Sequence, residues 1–116
     1  MIYIIEDDKS VTSAFELFLE SADMEFKSFD SAEEFLSLVQ PVVKDMLILD
    51  LNLPGMNGCD LLKNFERASL KIPVIVVTAH GDPSSHESCR QYGVKAYLRK
   101  PVDGEALIEI IQSQLV

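Results

Sequence analysis

The chain has 116 residues, with 10 Lys plus Arg against 19 Asp plus Glu, which gives a formal net charge of -9. This length suits one compact domain, and the hydrophobic share of 47% is enough for a core and excludes intrinsic disorder. The negative balance argues against direct contact with nucleic acid or an anionic membrane surface, because both require clustered Lys and Arg.

The cysteines and the amino terminus indicate in which cellular compartment the protein is expected. The two cysteines, Cys59 and Cys89, are too few for a disulfide framework and lack metal-ligand spacing, so we expect reduced thiols. No apolar run approaches the roughly 18 residues of a membrane span, and Met1 opens into a strand-like segment rather than a secretory signal. The sequence thus predicts an unprocessed cytoplasmic protein that does not contact the membrane.

Short apolar runs rich in β-branched residues predict five strands. Three clear runs lie at 2–5, 46–49 and 74–77. Two weaker runs lie at 25–29 and 96–99. Continuous apolar runs suit strands that are covered on both faces. Because amphipathic segments separate these runs, the sequence predicts a parallel sheet with helices between the strands.

Four amphipathic segments predict helices on the faces of this sheet. Apolar residues repeat at helical spacing over 11–22, 32–39, 58–65 and 107–115. Ser10, Ser31 and Asp103 are placed to cap the first, second and last of these helices.

A further helix is predicted between the fourth and fifth strands. Asp82 and Pro83 make a good cap and first turn, but the segment 84–92 has little apolar periodicity. We therefore expect this helix to be held loosely, which suits an element that must rearrange at low cost.

Acidic residues directly follow two of the predicted strands. Glu6, Asp7 and Asp8 come after the run 2–5, and Asp50 follows the run 46–49. In doubly wound parallel sheets, ligands bind beyond the carboxyl ends of the strands where the strand order reverses, so neighbouring strands would bring these carboxylates together. Oxygen ligands of this kind suit a hard cation, Mg²⁺ above all. Solvated loop residues or helix caps are the alternative at this point.

A hydroxyl and an ammonium are expected on the same rim of the sheet. Thr78 ends the fourth strand, and Lys100 follows the fifth strand directly before Pro101. A carboxylate nucleophile, a divalent cation, a hydroxyl and a lysine can together accept and stabilise a phosphoryl group. Taken singly, Thr78 also fits a plain strand residue and Lys100 a solvated charge.

Together these residues resemble the receiver (CheY-like) domain of two-component response regulators, and the run 78–82 is similar to the FixJ-type subgroup. The resemblance is carried by Glu6-Asp7-Asp8, the segment 49–58, Thr78-Ala79 and Lys100-Pro101. Because it spans essentially the whole chain, it implies one receiver domain over 1–116. The implied fold is α/β, a doubly wound five-stranded parallel sheet of flavodoxin-like (βα)5 type with strand order 2-1-3-4-5.

The resemblance implies a phosphoacceptor and a metal site. Asp50 would accept the phosphoryl group as an aspartyl phosphate. Asp7, Asp50 and the backbone carbonyl of Asn52 would bind Mg²⁺, and Glu6 would act through water. The family often has Asp at the position that Glu6 occupies here, so the reach of this side chain differs.

The resemblance also implies a switch and an entrance. Lys100 would pair with Asp50 before phosphorylation and with a phosphate oxygen afterwards, through a loop whose Lys100-Pro101 bond would be cis. The Thr78 hydroxyl would move to the phosphate and Tyr97 would turn inward, altering the surface of the predicted helix 84–92, the fifth strand and the last helix. For Tyr97, a half-buried ring with its hydroxyl in water is the alternative. Three residues would flank the entrance and govern access of water to the phosphoryl group: Asn52, Ala79 and His80.

The partners follow from the same resemblance. A sensor histidine kinase or a phosphotransfer protein would supply the phosphoryl group to this switch, which is not a metabolic enzyme although it assists its own phosphorylation and dephosphorylation. The subgroup suggests transcription as the output, through a domain absent from this chain, but receivers also occur in hybrid kinases or alone. Phosphorylation could drive homodimerisation through the wide apolar band of the last helix, for which core packing is the alternative.

Two other classes of protein are less well supported. A Mg²⁺-dependent phosphatase would use a second Asp two residues after its nucleophile as general acid, but Asn52 stands there and the chain has little room for a substrate-covering cap. An interaction domain that is never phosphorylated would be expected to have lost some of the key positions, and all of them are filled.

Overall fold

A computed structural model describes residues 1–42, 44–51, 53, 55–56, 58–78, 92 and 94–115. Strands and helices alternate through them: β1 (Ile2–Ile5), α1 (Lys9–Ser21), β2 (Phe26–Phe29), α2 (Ala32–Leu38), β3 (Met46–Asp50), α3 (Gly58–Arg67), β4 (Val74–Thr78), β5 (Val94–Arg99) and α4 (Gly104–Leu115). The predicted helix 84–92 lies almost wholly outside the described residues. Among the helices that are described, none has the length and apolar character needed to cross a membrane.

The five strands form one parallel sheet in the order β2-β1-β3-β4-β5. This confirms the predicted α/β doubly wound fold and its strand order. After β1 the chain adds β2 on one side, and β3 is then placed on the other side of β1, so the direction of winding reverses there. In such sheets a crevice opens beyond the carboxyl ends of the two strands at the reversal, here β1 and β3.

Side chains alternate between the two faces of the sheet, and each face has its own apolar core. The face that carries α2 and α3 is filled by a set that includes Ile5, Leu47, Leu49, Phe35 and Leu61. The face that carries α1 and α4 is filled by a set that includes Ile4, Ile48, Phe15, Leu19 and Leu107. Ile108 and Ile110 of α4 are half-buried and pack against this second core.

The predicted helix caps are confirmed for α2 and α4 but not for α1. The Ser31 hydroxyl accepts a hydrogen bond from the Glu34 N–H at 3.1 Å, and Oδ1 of Asp103 accepts one from the Glu105 N–H at 3.0 Å. In α1 the cap is Asp8, whose Oδ1 accepts from the Ser10 N–H at 2.9 Å. The prediction of Ser10 as the cap is wrong because α1 begins at Lys9, two residues earlier than the apolar stripe suggested.

The expectation of reduced cysteines is also wrong for Cys59. This residue lies half-buried in the first turn of α3, packs against the core on the α2 and α3 face, and is disulfide-bonded. A single bridge depends only on the approach of two cysteines in the fold, which the spacing along a sequence does not reveal. Cys89 lies outside the described residues.

Candidate functional site

The pairing of β1 with β3 sets the positions of the acidic residues. Ile5 lies opposite Leu49 in this parallel pair, so Glu6, directly after β1, lies beside Asp50, the last residue of β3. Asp7 follows Glu6 at the same edge, and one carboxylate oxygen from each of these three residues lies within 4.8 Å of the others. The expected convergence of carboxylates at the strand ends is therefore confirmed.

The three carboxylates differ in their exposure to water. The Glu6 and Asp50 residues are only 1% and 4% exposed, whereas Asp7 is exposed. Removing two carboxylates from water at close range is costly unless a cation lies beside them. The geometry thus creates a demand for positive charge at the end of β1 and β3.

Lys100 meets part of this demand. Its Nζ lies 2.9 Å from Oε2 of Glu6 and 3.4 Å from Oδ2 of Asp50. The residue follows β5 directly, and its backbone N–H donates to the carbonyl of Thr78 at 2.9 Å, which fixes the start of the turn. The Lys100-Pro101 peptide bond is cis, as the family resemblance implied.

Electrostatics in this cluster raise the pKa of two groups. Burial raises the pKa of Glu6 to about 7, and the Asp50 charge adds to this, against the opposing effect of the Lys100 hydrogen bond. Burial alone would lower the pKa of Lys100, but its hydrogen bond to Glu6 and the Asp50 charge outweigh this and raise it. The single ammonium of Lys100 is therefore not enough to keep Glu6 fully ionised at neutral pH.

The donor set fits a hard divalent cation. Within the described part of the chain, Oε2 of Glu6 is buried with no hydrogen-bond donor in proper geometry, although the Lys100 ammonium lies near it. Three carboxylates grouped around a single ammonium form the kind of all-oxygen site that suits Mg²⁺. Asn52, whose carbonyl was expected to complete the set, lies outside the described residues.

The other expected site residues lie along the ends of β4 and β5. Thr78 is buried at the end of β4, opposite Arg99 of β5. Tyr97 is half-buried in β5 and packs against the core on the α2 and α3 face. Thr78 and Lys100 thus share the rim of the sheet with the acidic cluster, while Ala79 and His80 lie outside the described residues.

One contact near the site was not anticipated from the sequence. Oε2 of Glu33, in the first turn of α2, accepts a hydrogen bond from the Met56 N–H at 3.0 Å. Met56 belongs to the loop that joins Asp50 to α3. The sequence places Glu33 only in a helix start, and no local pattern points to a contact across 23 residues.

Similarity to known proteins agrees with this geometry. Residues 2–112 match the response regulator receiver domain family. The chain is 33% identical over 109 residues to the DNA-binding transcriptional regulator NtrC of Klebsiella pneumoniae. This alignment covers 94% of this chain and 23% of that protein. The chain is 31% identical over 111 residues to the transcriptional regulatory protein FixJ of Rhizobium meliloti, which covers 96% of this chain and 54% of that protein.

A solved structure extends the similarity to three dimensions. The crystal structure of FixJ-N superimposes with a TM-score of 0.87 at 30% identity, covering 98% of this chain and 91% of that one. The chain spans 23% of the length of the NtrC protein and 54% of the length of the FixJ protein named above. The similarity therefore concerns one domain of those longer proteins.

Proposed function

This chain belongs to the response regulator receiver domain family, a family of phosphorylation-dependent switches in two-component systems, and we propose that Asp50 is its phosphoacceptor. The observation that carries the proposal is the side-by-side position of Glu6 and Asp50 at the carboxyl ends of β1 and β3, with Asp7 beside them and Lys100 in contact. A buried carboxylate between a lysine and a cation site suits a phosphoryl acceptor.

The proposed reaction transfers a phosphoryl group from a histidine nitrogen of the donor to the carboxylate of Asp50. An Asp50 Oδ forms a bond to phosphorus as the phosphorus–nitrogen bond of a phosphohistidine breaks, and that electron pair stays on the imidazole. With a small acyl phosphate as donor, the bond that breaks is phosphorus–oxygen and a carboxylate leaves. Phosphoryl transfer needs mainly positioning and charge stabilisation, which Lys100 would supply to a phosphate oxygen and Thr78 through its hydroxyl.

The cation in this proposal is Mg²⁺. Asp7, Asp50 and the Asn52 carbonyl would bind it directly, and Glu6 would bind it through water. A bound Mg²⁺ neutralises charge on the transferring phosphoryl group and orients it. The buried Glu6 and the exposed Asp7 support this set, because one carboxylate is held in place and another can receive a hydrated ion.

The proposed switch runs from Thr78 to Tyr97. The Thr78 hydroxyl moves to the phosphate, and Tyr97 turns further inward and alters the surface formed by the segment 84–92, β5 and α4. The half-buried position of Tyr97 supports such a change, since its ring already contacts the core. Asn52, Ala79 and His80 are proposed to flank the entrance on the basis of the family resemblance, and replacement of Asn52 or His80 is expected to change the lifetime of the phosphoryl group.

The whole chain, 1–116, is proposed to act as one cytoplasmic receiver domain. A sensor histidine kinase or phosphotransfer protein supplies the phosphoryl group, and the domain promotes its own phosphorylation and dephosphorylation without acting as a metabolic enzyme. Its output is proposed to be transcription, as the names of NtrC and FixJ suggest, without contact between this domain and nucleic acid. Homodimerisation on phosphorylation is part of the same proposal.

Intact-mass measurement after incubation with Mg²⁺ and a small acyl phosphate tests the proposal. We expect one added phosphoryl group on the natural chain, and none after Asp50→Asn or with the metal chelated. Asp23→Asn is a matched control, because Asp23 is exposed and has a φ of 56°, a conformation that Asn tolerates. Absence of any adduct under cold, brief conditions would contradict the proposal and favour an unphosphorylated interaction domain.

A further inference from the structure

The loop between Asp50 and α3 is held at several points. At its base, the Gly58 N–H donates to the Leu51 carbonyl at 3.2 Å. Along its inner side, Leu51 and Leu53 are buried in the core on the α2 and α3 face. Asn52, which lies outside the described residues, stands between these two leucines in the sequence.

Glu33 holds the outer end of this loop. Its Oε2 accepts the Met56 N–H at 3.0 Å, and a Cβ built on Gly55 would fall 2.3 Å from the same oxygen. The carboxylate therefore lies directly against the Gly55 backbone, which has a φ of 72° that favours glycine. The Met56 hydrogen bond also lowers the pKa of Glu33, so the bond persists in its charged, stronger form at neutral pH.

The first turn of α2 presents Glu33 in a fixed place. Ser31 caps the helix through the Glu34 N–H, and Ala32 and Phe35 on either side of Glu33 are fully buried. The half-buried Met56 packs against the same core. The Glu33 carboxylate thus joins α2 to the loop after Asp50, and both pack on the core of the α2 and α3 face.

We propose that Glu33 is a positioning residue for the cation site, because its carboxylate fixes the Gly55–Met56 turn and through it the loop that follows Asp50. This inference rests on the proposed function, since the loop matters through the Asn52 carbonyl as a Mg²⁺ ligand. Residues that orient a metal ligand without touching the metal commonly change affinity by about 10-fold or more when replaced.

Four variants separate positioning from simple charge. Glu33→Gln keeps an acceptor oxygen at full length without the charge, Glu33→Asp keeps the charge on a shorter side chain, and Glu33→Ala loses both. Glu34→Gln, on the exposed neighbour, is the control that changes the net charge by the same amount. Mg²⁺ affinity is measured by calorimetry on the unphosphorylated chain, and thermal unfolding without metal checks that every variant folds.

Positioning predicts a definite order of affinities. Glu33→Ala and Glu33→Asp should bind Mg²⁺ roughly 10-fold more weakly than the natural chain, Glu33→Gln should be intermediate, and Glu34→Gln should be unchanged. A long-range charge effect predicts the reverse, with Glu33→Asp normal and Glu33→Gln equal to Glu34→Gln. That result, or normal affinity in Glu33→Ala, would overturn the proposal.

A second readout keeps failure of this inference distinct from failure of the proposed function. The Met56 amide resonance, observed by NMR without metal, should titrate with Glu33 in the natural chain and in Glu34→Gln, and should lose that titration in Glu33→Gln. If the natural chain binds no Mg²⁺, the proposed function fails. An unchanged Met56 titration in Glu33→Gln would show that no positioning contact exists.

Discussion

Lys100 lies closer to Glu6 than to Asp50: its Nζ is 2.9 Å from Oε2 of Glu6 and 3.4 Å from Oδ2 of Asp50. The family resemblance implied a pairing of Lys100 with Asp50, and the contact with Glu6 is additional. The lysine therefore bridges the ends of β1 and β3 and partly neutralises a buried acid on each strand. Lys100 therefore contributes to the stability of the folded chain as well as to the proposed phosphoryl transfer.

Replacement of Lys100 by Met should destabilise the metal-free chain. The substitution leaves the buried Glu6 and Asp50 without their cation, and we expect the free energy of unfolding at pH 8 to fall by about 1–3 kcal/mol. Denaturant unfolding in the presence of a chelator measures the change. Lys95→Met, on an exposed side chain of β5, is the control and should change stability by less than about 0.5 kcal/mol. Equal effects of the two variants would contradict the assignment.

The stability of the metal-free chain should depend on the protonation of Glu6. The pKa of Glu6 is about 7 in the folded chain against an ordinary value of 4.5, so the folded state binds this proton more tightly than the unfolded state. The resulting stabilisation is fully present below pH 4.5 and is lost as the pH rises through about 7. Because Glu6 interacts closely with Asp50 and Lys100 and solvent screens part of the effect, the total loss is expected to be on the order of 1–3 kcal/mol.

Glu6→Gln isolates this effect because the amide does not titrate. Denaturant unfolding of both proteins at pH 5, 6, 7 and 8 with a chelator should show the natural chain losing stability relative to Glu6→Gln as the pH rises. Identical pH profiles for the two proteins would refute the raised pKa of Glu6.

Gly58→Ala should distort the end of β3. A Cβ at this position would fall 2.9 Å from the Asp50 carbonyl oxygen and from the Leu51 Cα, which are backbone atoms that cannot rotate away. We expect a loss of about 1–3 kcal/mol in the free energy of unfolding, together with slower phosphorylation by an acyl phosphate. Asn64→Ala, at an exposed position of α3, is the control. In a helix without this contact, Gly→Ala would instead stabilise by about 0.5–1 kcal/mol, and that outcome would contradict the account.

Much of the fold and the acidic cluster could be predicted because they depend on local pattern and strand order. The apolar runs identified all five strands, and the acids after β1 and β3 met once these strands proved to be neighbours. Ser31 was identified as a cap because its hydroxyl is followed three residues later by Glu34. In α1 the apolar stripe alone set the predicted start, so Ser10 was chosen and the actual cap, Asp8, was missed.

Contacts between distant elements could not be predicted in the same way. The Glu33–Met56 hydrogen bond depends on how closely α2 approaches the loop after Asp50, and the Lys100–Glu6 distance depends on the turn after β5. The disulfide of Cys59 likewise depends on spatial approach. These features follow from packing between elements, which residue periodicity does not encode.

The identity of the phosphorylated residue tests the central claim most directly. After brief incubation with Mg²⁺ and an acyl phosphate, borohydride reduction converts an aspartyl phosphate to homoserine with release of phosphate, and peptide mass mapping locates the change. The account predicts homoserine at position 50 only, and none when the metal is chelated. Homoserine at position 7 or 8, or a phosphorylated chain without homoserine at position 50, would contradict it.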